Sequence, residues 1–368
     1  MPSRPIGYLT GPDLGAFLKN ITLTVDGMVH IHDTSLELSP GGFNVLLGTT
    51  LAGKTSLMRL MAGLIRPTSG EVWFDGRDVT GVPVQKRNVS MVYQQFINYP
   101  NFSVFDNIAS PLRVAGLKAD AIKARVGPIA ELLRLTPFLA RRPSELSGGQ
   151  QQRCAMARAL VKDSDLVLFD EPLANLDYKL REELRDELPR LFADRQCTVV
   201  YATTEPAEAL LLGGQTATLH QGRVTQFGPG VQVYRQPVDV TTARVFSDPP
   251  INTVNVTKRG DRIHLSDTAS WPVPGALAAL TDGAYQLGIR PHHVVPLGQG
   301  AGAAMVEGRV LVTEISGSES TVHFDMAGQP WVSLSHGVHP FDAGATARFH
   351  VDVSRALYFA PDGALVHA

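Results

Sequence analysis

The sequence predicts an α/β domain built on parallel strands, followed by an all-β domain. Three observations carry that reading. From about Leu18 to Phe227, short β-rich runs alternate with helical patterns, the layout of an α/β domain. Inside that stretch a compact apolar run, Phe43 to Leu47, leads through a glycine-containing turn into an amphipathic helix. After about Val238 the pattern becomes period-two alternation punctuated by Gly and Pro, so the two domains read as residues 1–238 and 239–368.

Taken in order, Phe43 to Leu47 is the first clear buried strand. Ser56 to Leu64 then sets Leu57, Leu60, Met61 and Leu64 on one helical face. Leu166 to Phe169, which runs into two acids, and Thr198 to Ala202 read as further buried strands. Between them Leu180, Leu184, Leu188 and Leu191 form one helical face, and Pro189 is expected to kink or weaken its last turn. In the tail, Val322, Phe324 and Met326 alternate with His323 and Asp325. Ala347, Phe349, Val351 and Val353 alternate with Arg348, His350 and Asp352. A barrel or sandwich of short strands, of the oligonucleotide/oligosaccharide-binding (OB) kind, fits this spacing.

Composition narrows the function classes. A chain of 368 residues with 44% hydrophobic residues buries real cores, which excludes disordered and fibrous classes. With 33 Lys+Arg against 35 Asp+Glu there is no basic excess to neutralise phosphates along a nucleic acid, so none is expected as a partner. The two cysteines, Cys154 and Cys197, fall in stretches that read as helix and strand and are expected to be reduced. Met1 to Tyr8 leads into no apolar core of a secretory leader, and no apolar run approaches the roughly 18 residues of a membrane span. Membrane association is therefore expected to come through a partner.

Gly48-Thr49-Thr50-Leu51-Ala52-Gly53-Lys54-Thr55 matches G-x-x-x-x-G-K-S/T, and it lies between strand and helix, where such a loop must lie. Its glycines allow backbone N–H groups to turn inward around phosphate oxygens, and the helix that follows through Ser56 presents its positive end to the anion. Lys54 reaches the β- and γ-phosphates, and the Thr55 hydroxyl is suited to Mg²⁺. Leu166-Val167-Leu168-Phe169-Asp170-Glu171 supplies the complement: Asp170 delivered to the Mg²⁺ shell and Glu171 beside it to polarise an attacking water. Leu146-Ser147-Gly148-Gly149-Gln150 opens a helical run and is a second anion cradle. Two cradles in one chain suggest two subunits face to face, each nucleotide held by the Lys54 loop of one and the Ser147 loop of the other.

With these motifs the chain resembles the ATP-binding subunits of ABC transporters over nearly its whole length. Leu146 to Gln150 resembles the family signature, Gln94 in Met91-Val92-Tyr93-Gln94-Gln95 the Q-loop glutamine, and Ala174-Asn175-Leu176-Asp177 the D-loop. Leu287-Gly288-Ile289-Arg290-Pro291-His292-His293 is similar to the regulatory (TOBE) domain of the sugar and glycerol-phosphate importers. The resemblance implies a P-loop NTPase fold with a helical subdomain at about 96–148, ATP and Mg²⁺ as ligands, and Gln94 joining Thr55 and Asp170 at the metal. It implies that Asp177 bridges the subunit interface. It also implies permease subunits, a second ATPase and, indirectly, an extracytoplasmic solute-binding protein as partners, with the chain peripheral on the cytoplasmic side of the inner membrane. A groove near Phe96 to Val104 is where such a permease loop would dock, while Phe96, Tyr99, Phe102 and Phe105 also suit plain core packing. Chromosome-maintenance ATPases share the signature but carry long coiled-coil insertions. Here about fifty residues without heptads separate Gln94 from Leu146.

The sequence departs from the family pattern around one half-site. Thr204 stands where the family places a histidine beside the γ-phosphate, and Val25 where it stacks an aromatic ring on adenine. No Phe, Tyr or Trp occurs between Phe17 and Phe43. The loop interior, Thr49 to Ala52, lacks the small Pro, Ser and Gly residues common there. The Ser147 half-site is intact. Two arrangements fit: pairing with a non-identical ATPase, as in glycerol uptake systems, and a homodimer in which water or Thr204 does the histidine's work. A nucleotide-sensing regulatory subunit that drives little transport is the alternative from another functional class.

Overall fold

The structure is a computed structural model that describes residues 15–367 except 175, 194, 196, 267–268, 274 and 297–303. The expectation of no secretory leader falls on Met1 to Tyr8, outside the described residues. Two compact units divide the chain, 1–230 and 231–368.

The first unit begins β1 (Ala16–Val25), β2 (Met28–Glu37), β3 (Phe43–Gly48), α1 (Lys54–Ala62), β4 (Ser69–Phe74), β5 (Arg77–Asp78) and β6 (Val89–Val92). It continues with α2 (Val104–Val114), α3 (Ala119–Leu132), α4 (Gly148–Leu160), β7 (Leu166–Asp170), α5 (Tyr178–Ala193), β8 (Thr198–Thr203), α6 (Pro206–Leu212), β9 (Gln215–His220) and β10 (Arg223–Pro229). One sheet is antiparallel, ordered β2-β1-β4-β5. Its β1–β2 hairpin turns at Asp26-Gly27, both with positive φ, the geometry a two-residue hairpin needs. The other runs β10-β9-β3-β8-β7-β6, parallel throughout except β10.

Every residue of β3, β7 and β8 is buried, which is why these strands read as continuous apolar runs. Helix α1 carries Leu57, Met58, Leu60 and Met61 into a core shared with Leu18, Ile21 and Ile31 of the antiparallel sheet and Leu46, Leu168 and Val200 of the parallel one. The carboxyl ends of β3, β7 and β8 therefore come out side by side, the position at which open α/β sheets bind ligands. Helices α2 and α3 occupy the interval between β6 and α4.

Some details correct the sequence reading. Leu64 is not on the α1 face: Gly63, at φ +75°, ends the helix first, and Leu64 is exposed. The buried stripe of α5 is Leu180, Leu184, Leu188 and Phe192, not Leu191, because the Phe192 ring packs edge-on against Phe43 on β3 and Phe169 on β7. That helix continues past Pro189 to Ala193. Val353 lies beyond β19 (Thr346–Val351), in a 3₁₀ turn.

The second unit starts eight residues before the sequence-based boundary, in α7 (Gly230–Arg235), and continues with α8 (Val240–Val245). The reason is packing: the Tyr234 ring meets Phe246 edge-on at 5.6 Å, and the Arg290 guanidinium lies 3.7 Å over the same ring. The strands are β11 (Asn252–Arg259), β12 (Arg262–His264), β13 (Ser270–Pro272), β14 (Gly283–Ile289), β15 (Val294–Pro296), β16 (Ala304–Ile315), β17 (Glu319–Met326), β18 (Gln329–His336), β19, β20 (Leu357–Phe359) and β21 (Leu365–His367). They form two antiparallel sheets, β13-β12-β11-β14-β20-β21 and β15-β19-β16-β17-β18. In the second, the Ser333 hydroxyl on β18 donates to the Val294 carbonyl on β15 at 2.6 Å, so its outer strands meet and the sheet curls toward a barrel. Trp331, Phe324 and Phe349 fill the interior, with the two Phe rings stacked at 4.1 Å.

Candidate functional site

At the end of β3 the chain turns through 49–53 into α1, and packing dictates both flanking glycines. A Cβ at Gly48 would stand 2.7 Å from the Leu219 carbonyl oxygen. At Gly53, where φ is +107°, it would stand 2.8 Å from Ile31 Cδ1. The Gly222 N–H donates to the Ala52 carbonyl and the His32 N–H to the Gly222 carbonyl, both at 2.9 Å. The loop is thereby fixed between the β9–β10 turn and β2. At its tip Leu51 has φ +67° and is 95% exposed; a left-handed leucine costs roughly 1–2 kcal/mol, a strain that collects at functional sites.

Lys54, 5% exposed, donates to the carbonyls of Gly48 at 2.7 Å and Thr49 at 3.1 Å and lies 3.2 Å from Glu171 Oε1. Thr55 Oγ1 donates to Asp170 Oδ2 at 2.8 Å, joining the first turn of α1 to the end of β7. Gln94 Nε2 donates to Glu171 Oε2 at 3.1 Å. Glu171 itself takes φ +49°, with its N–H held by the Ala202 carbonyl at 3.0 Å. Burial pushes the Asp170 carboxyl above its usual range and the Glu171 charge adds to the rise, while the Thr55 hydrogen bond opposes both. A buried carboxylate and a hydroxyl are hard oxygen donors that suit Mg²⁺, and a cation there would reverse the cost of charging Asp170.

Thr50, Leu51, Ala52, Gly53, Lys54, Thr55, Ser56, Gln94 and Glu171 line one cavity of about 530 Å³. Gly48, Thr49 and Asp170 adjoin it through their bonds to Lys54 and Thr55, and the remaining predicted residues lie elsewhere. Ser147 caps α4: its Oγ accepts from the Gln150 N–H at 3.4 Å while Gln150 Oε1 accepts from the Ser147 N–H at 3.0 Å. Ser147 and Gly148 are exposed, and the Gly149 carbonyl accepts from Arg153 Nε at 3.3 Å. This turn lines no part of the cavity. Asp177 accepts from the Leu180 N–H at 3.0 Å, capping α5, and Asn175 is outside the described residues. Thr204 is exposed just past β8, and Val25, 41% exposed, is not part of the cavity wall.

Sequence reasoning missed two features. The rest of the cavity wall is Met28, Val29, His30, His32, Gln221 and Gly222. The His-Ile-His alternation straight after the Asp26-Gly27 turn was the available signal. The second is an acid–base cluster that grips both sides of Thr204. Glu208, 4% exposed, accepts from Thr203 Oγ1 at 2.6 Å, Tyr201 Oη at 3.1 Å and Arg185 at 3.3 Å, while Glu205 pairs with Arg185 at 2.7 Å and Arg181 at 3.1 Å. Burial, and then the Glu208 charge, push the Tyr201 hydroxyl well above its usual range, so it stays a donor.

Residues 31–174 match the ABC transporter family and residues 287–359 the TOBE domain. The sn-glycerol-3-phosphate import ATP-binding protein UgpC of Ralstonia nicotianae is 36% identical over 323 residues, 86% of this chain and 88% of that one. The protein of the same name in Yersinia pestis is 34% identical over 352 residues, 95% and 98% of the two chains. A solved dimeric ATP-binding cassette, in a post-hydrolysis state bound to ADP and Pi, is 27% identical with a TM-score of 0.55. It covers 58% of this chain and 98% of its own.

Proposed function

The chain belongs to the ATP-binding subunits of ABC transporters, and from there we propose that it energises import of a carbohydrate or polyol, with a glycerol-type solute as the best match. The observation that carries this is the convergence of Lys54, Thr55, Gln94 and Glu171 on one cavity at the strand ends. The names of the relatives, sn-glycerol-3-phosphate importers, support the solute class.

In this reading Lys54 exchanges the Gly48 and Thr49 carbonyls and Glu171 for phosphate oxygens. Thr55, Asp170 and Gln94 would hold Mg²⁺, which when bound would supply positive charge to neutralise the phosphates. Glu171, released from Lys54, accepts a proton from the attacking water. Ser147, Gly148, Gly149 and Gln150 of one subunit grip the nucleotide of the opposite subunit, and Asp177 lies at the seam. Their separation from the cavity of their own chain supports this division of labour. Tyr99 and Phe102, both exposed and 5.3 Å apart, stand by a groove of about 320 Å³ that suits a permease loop and would bring the chain to the cytoplasmic face of the inner membrane. Among the described residues no helix is long and apolar enough to cross a membrane itself.

Of the departures from the family pattern, Leu51 lines the Lys54 cavity, while Val25 and Thr204 are exposed outside its wall. A non-identical partner ATPase, whose own site is completed by Ser147 of this chain, accounts for them. Removing a preorganised transition-state contact commonly costs about a hundredfold in rate or more, so the local pocket turns over slowly. The test is uptake of labelled glycerol and sn-glycerol 3-phosphate into membranes with and without this chain. Loss of uptake without it is expected, and unaffected uptake rejects the transport reading in favour of a nucleotide sensor. A large drop in transport-coupled hydrolysis on Glu171→Gln alone would reject the slow pocket.

A further inference from the structure

The cavity has one end that phosphates explain and another that they do not. We propose that His30, with His32 beside it, is the ring platform that holds the nucleotide base. This rests on the ATP-site reading above. Val25, where the family stacks a ring, is not part of the wall, whereas His30 and His32 are its ring-bearing residues among the described residues. Both lie on one face of β2, about 7 Å apart by strand geometry, while Ile31 between them is fully buried on the opposite face against the Gly53 position.

That wall is held in fixed register with the phosphate loop. The Ala52 carbonyl takes the Gly222 N–H and the Gly222 carbonyl takes the His32 N–H. The base side and the phosphate side are thus two ends of one hydrogen-bonded frame. Gly222 lets the turn approach the β2 backbone closely: a Cβ there would lie 2.4 Å from the His30 carbonyl oxygen. Met28 and Val29, 66% and 53% exposed, give the same wall an apolar margin, which a purine covers and a bare phosphate does not. His30 is exposed and His32 half-buried, so in this proposal the base stacks on His30 with His32 beside it.

The test compares binding of ATP and of inorganic tripolyphosphate, which carries the charge without the base, to the full chain by calorimetry. Base–ring stacking is commonly worth 1–3 kcal/mol, so His30→Ala is expected to weaken ATP binding by about fivefold or more and leave tripolyphosphate unchanged. His30→Phe restores ATP binding because the ring returns, and His32→Ala has the smaller effect. Equal losses for ATP and tripolyphosphate, no loss in His30→Ala, or a loss confined to His32→Ala would overturn the proposal. Wild-type protein that binds neither, and is indistinguishable from Lys54→Ala, would instead sink the ATP-site reading beneath it.

Discussion

Replacing Glu171 by Gln tests the resting state of the site. In the structure the Lys54 ammonium is 5% exposed and lies 3.2 Å from a Glu171 carboxylate that is itself 18% exposed. In the proposed reading ATP takes Lys54 from that carboxylate. On that reading the contact competes with ATP, and whatever it contributes to the free protein is subtracted from ATP binding. Gln keeps the shape and an acceptor oxygen, and Lys54 retains the Gly48 and Thr49 carbonyls, so the loss is that of the charge in a charge-assisted bond, about 1–2 kcal/mol. By linkage the same quantity appears twice. The nucleotide-free variant melts lower, by about 2–4 °C for each kcal/mol in a unit of this size, and it binds MgATP about five- to thirtyfold more tightly. Differential scanning fluorimetry and titration with a fluorescent ATP analogue read the two effects on the same sample. An ATP affinity that is unchanged or lower, alongside a lowered melting temperature, would refute the competition between Glu171 and phosphate.

Further outcomes follow from the same geometry. Glu208→Ala leaves the Tyr201 and Thr203 hydroxyls without their acceptor while Arg185 keeps Glu182 and Glu205, so unfolding by urea should show a loss of about 1–3 kcal/mol. Leu51→Gly relieves a left-handed, exposed leucine. After the unfolded-state entropy of glycine is subtracted, a gain of about 0.5–1 kcal/mol in thermal stability is expected. Burial pushes the Cys154 thiol up to about 12 and raises that of Cys197 as well. Both stay protonated at pH 8, below their raised values, so neither should react with an aromatic disulfide reagent in the folded chain and both should react in urea.

The phosphate loop, the acid pair closing β7 and the Ser147 helix start were legible in the sequence because each is local. A glycine-flanked turn, an apolar run ending in Asp170-Glu171 and a serine that caps its own helix need only neighbouring residues to take shape. The alternating strands of the second unit were legible for the same reason. Helix ends and faces were less so: Gly63 stops α1 ahead of Leu64, and the stripe of α5 moves on to Phe192, because tight packing decides what is finally buried.

Sequence alone therefore determined which groups are the candidates to hold a triphosphate and on which kinds of element they stand. Tertiary structure decided which of them meet. Lys54 faces Glu171 because strand order sets β3 and β7 on either side of β8. His30 and His32 face the cavity because Gly222 bonds β2 to the loop from a hairpin nearly two hundred residues downstream. The Ser147 turn lies apart from the site of its own chain. Such meetings depend on register between segments distant along the chain, and no local pattern of residues encodes that register.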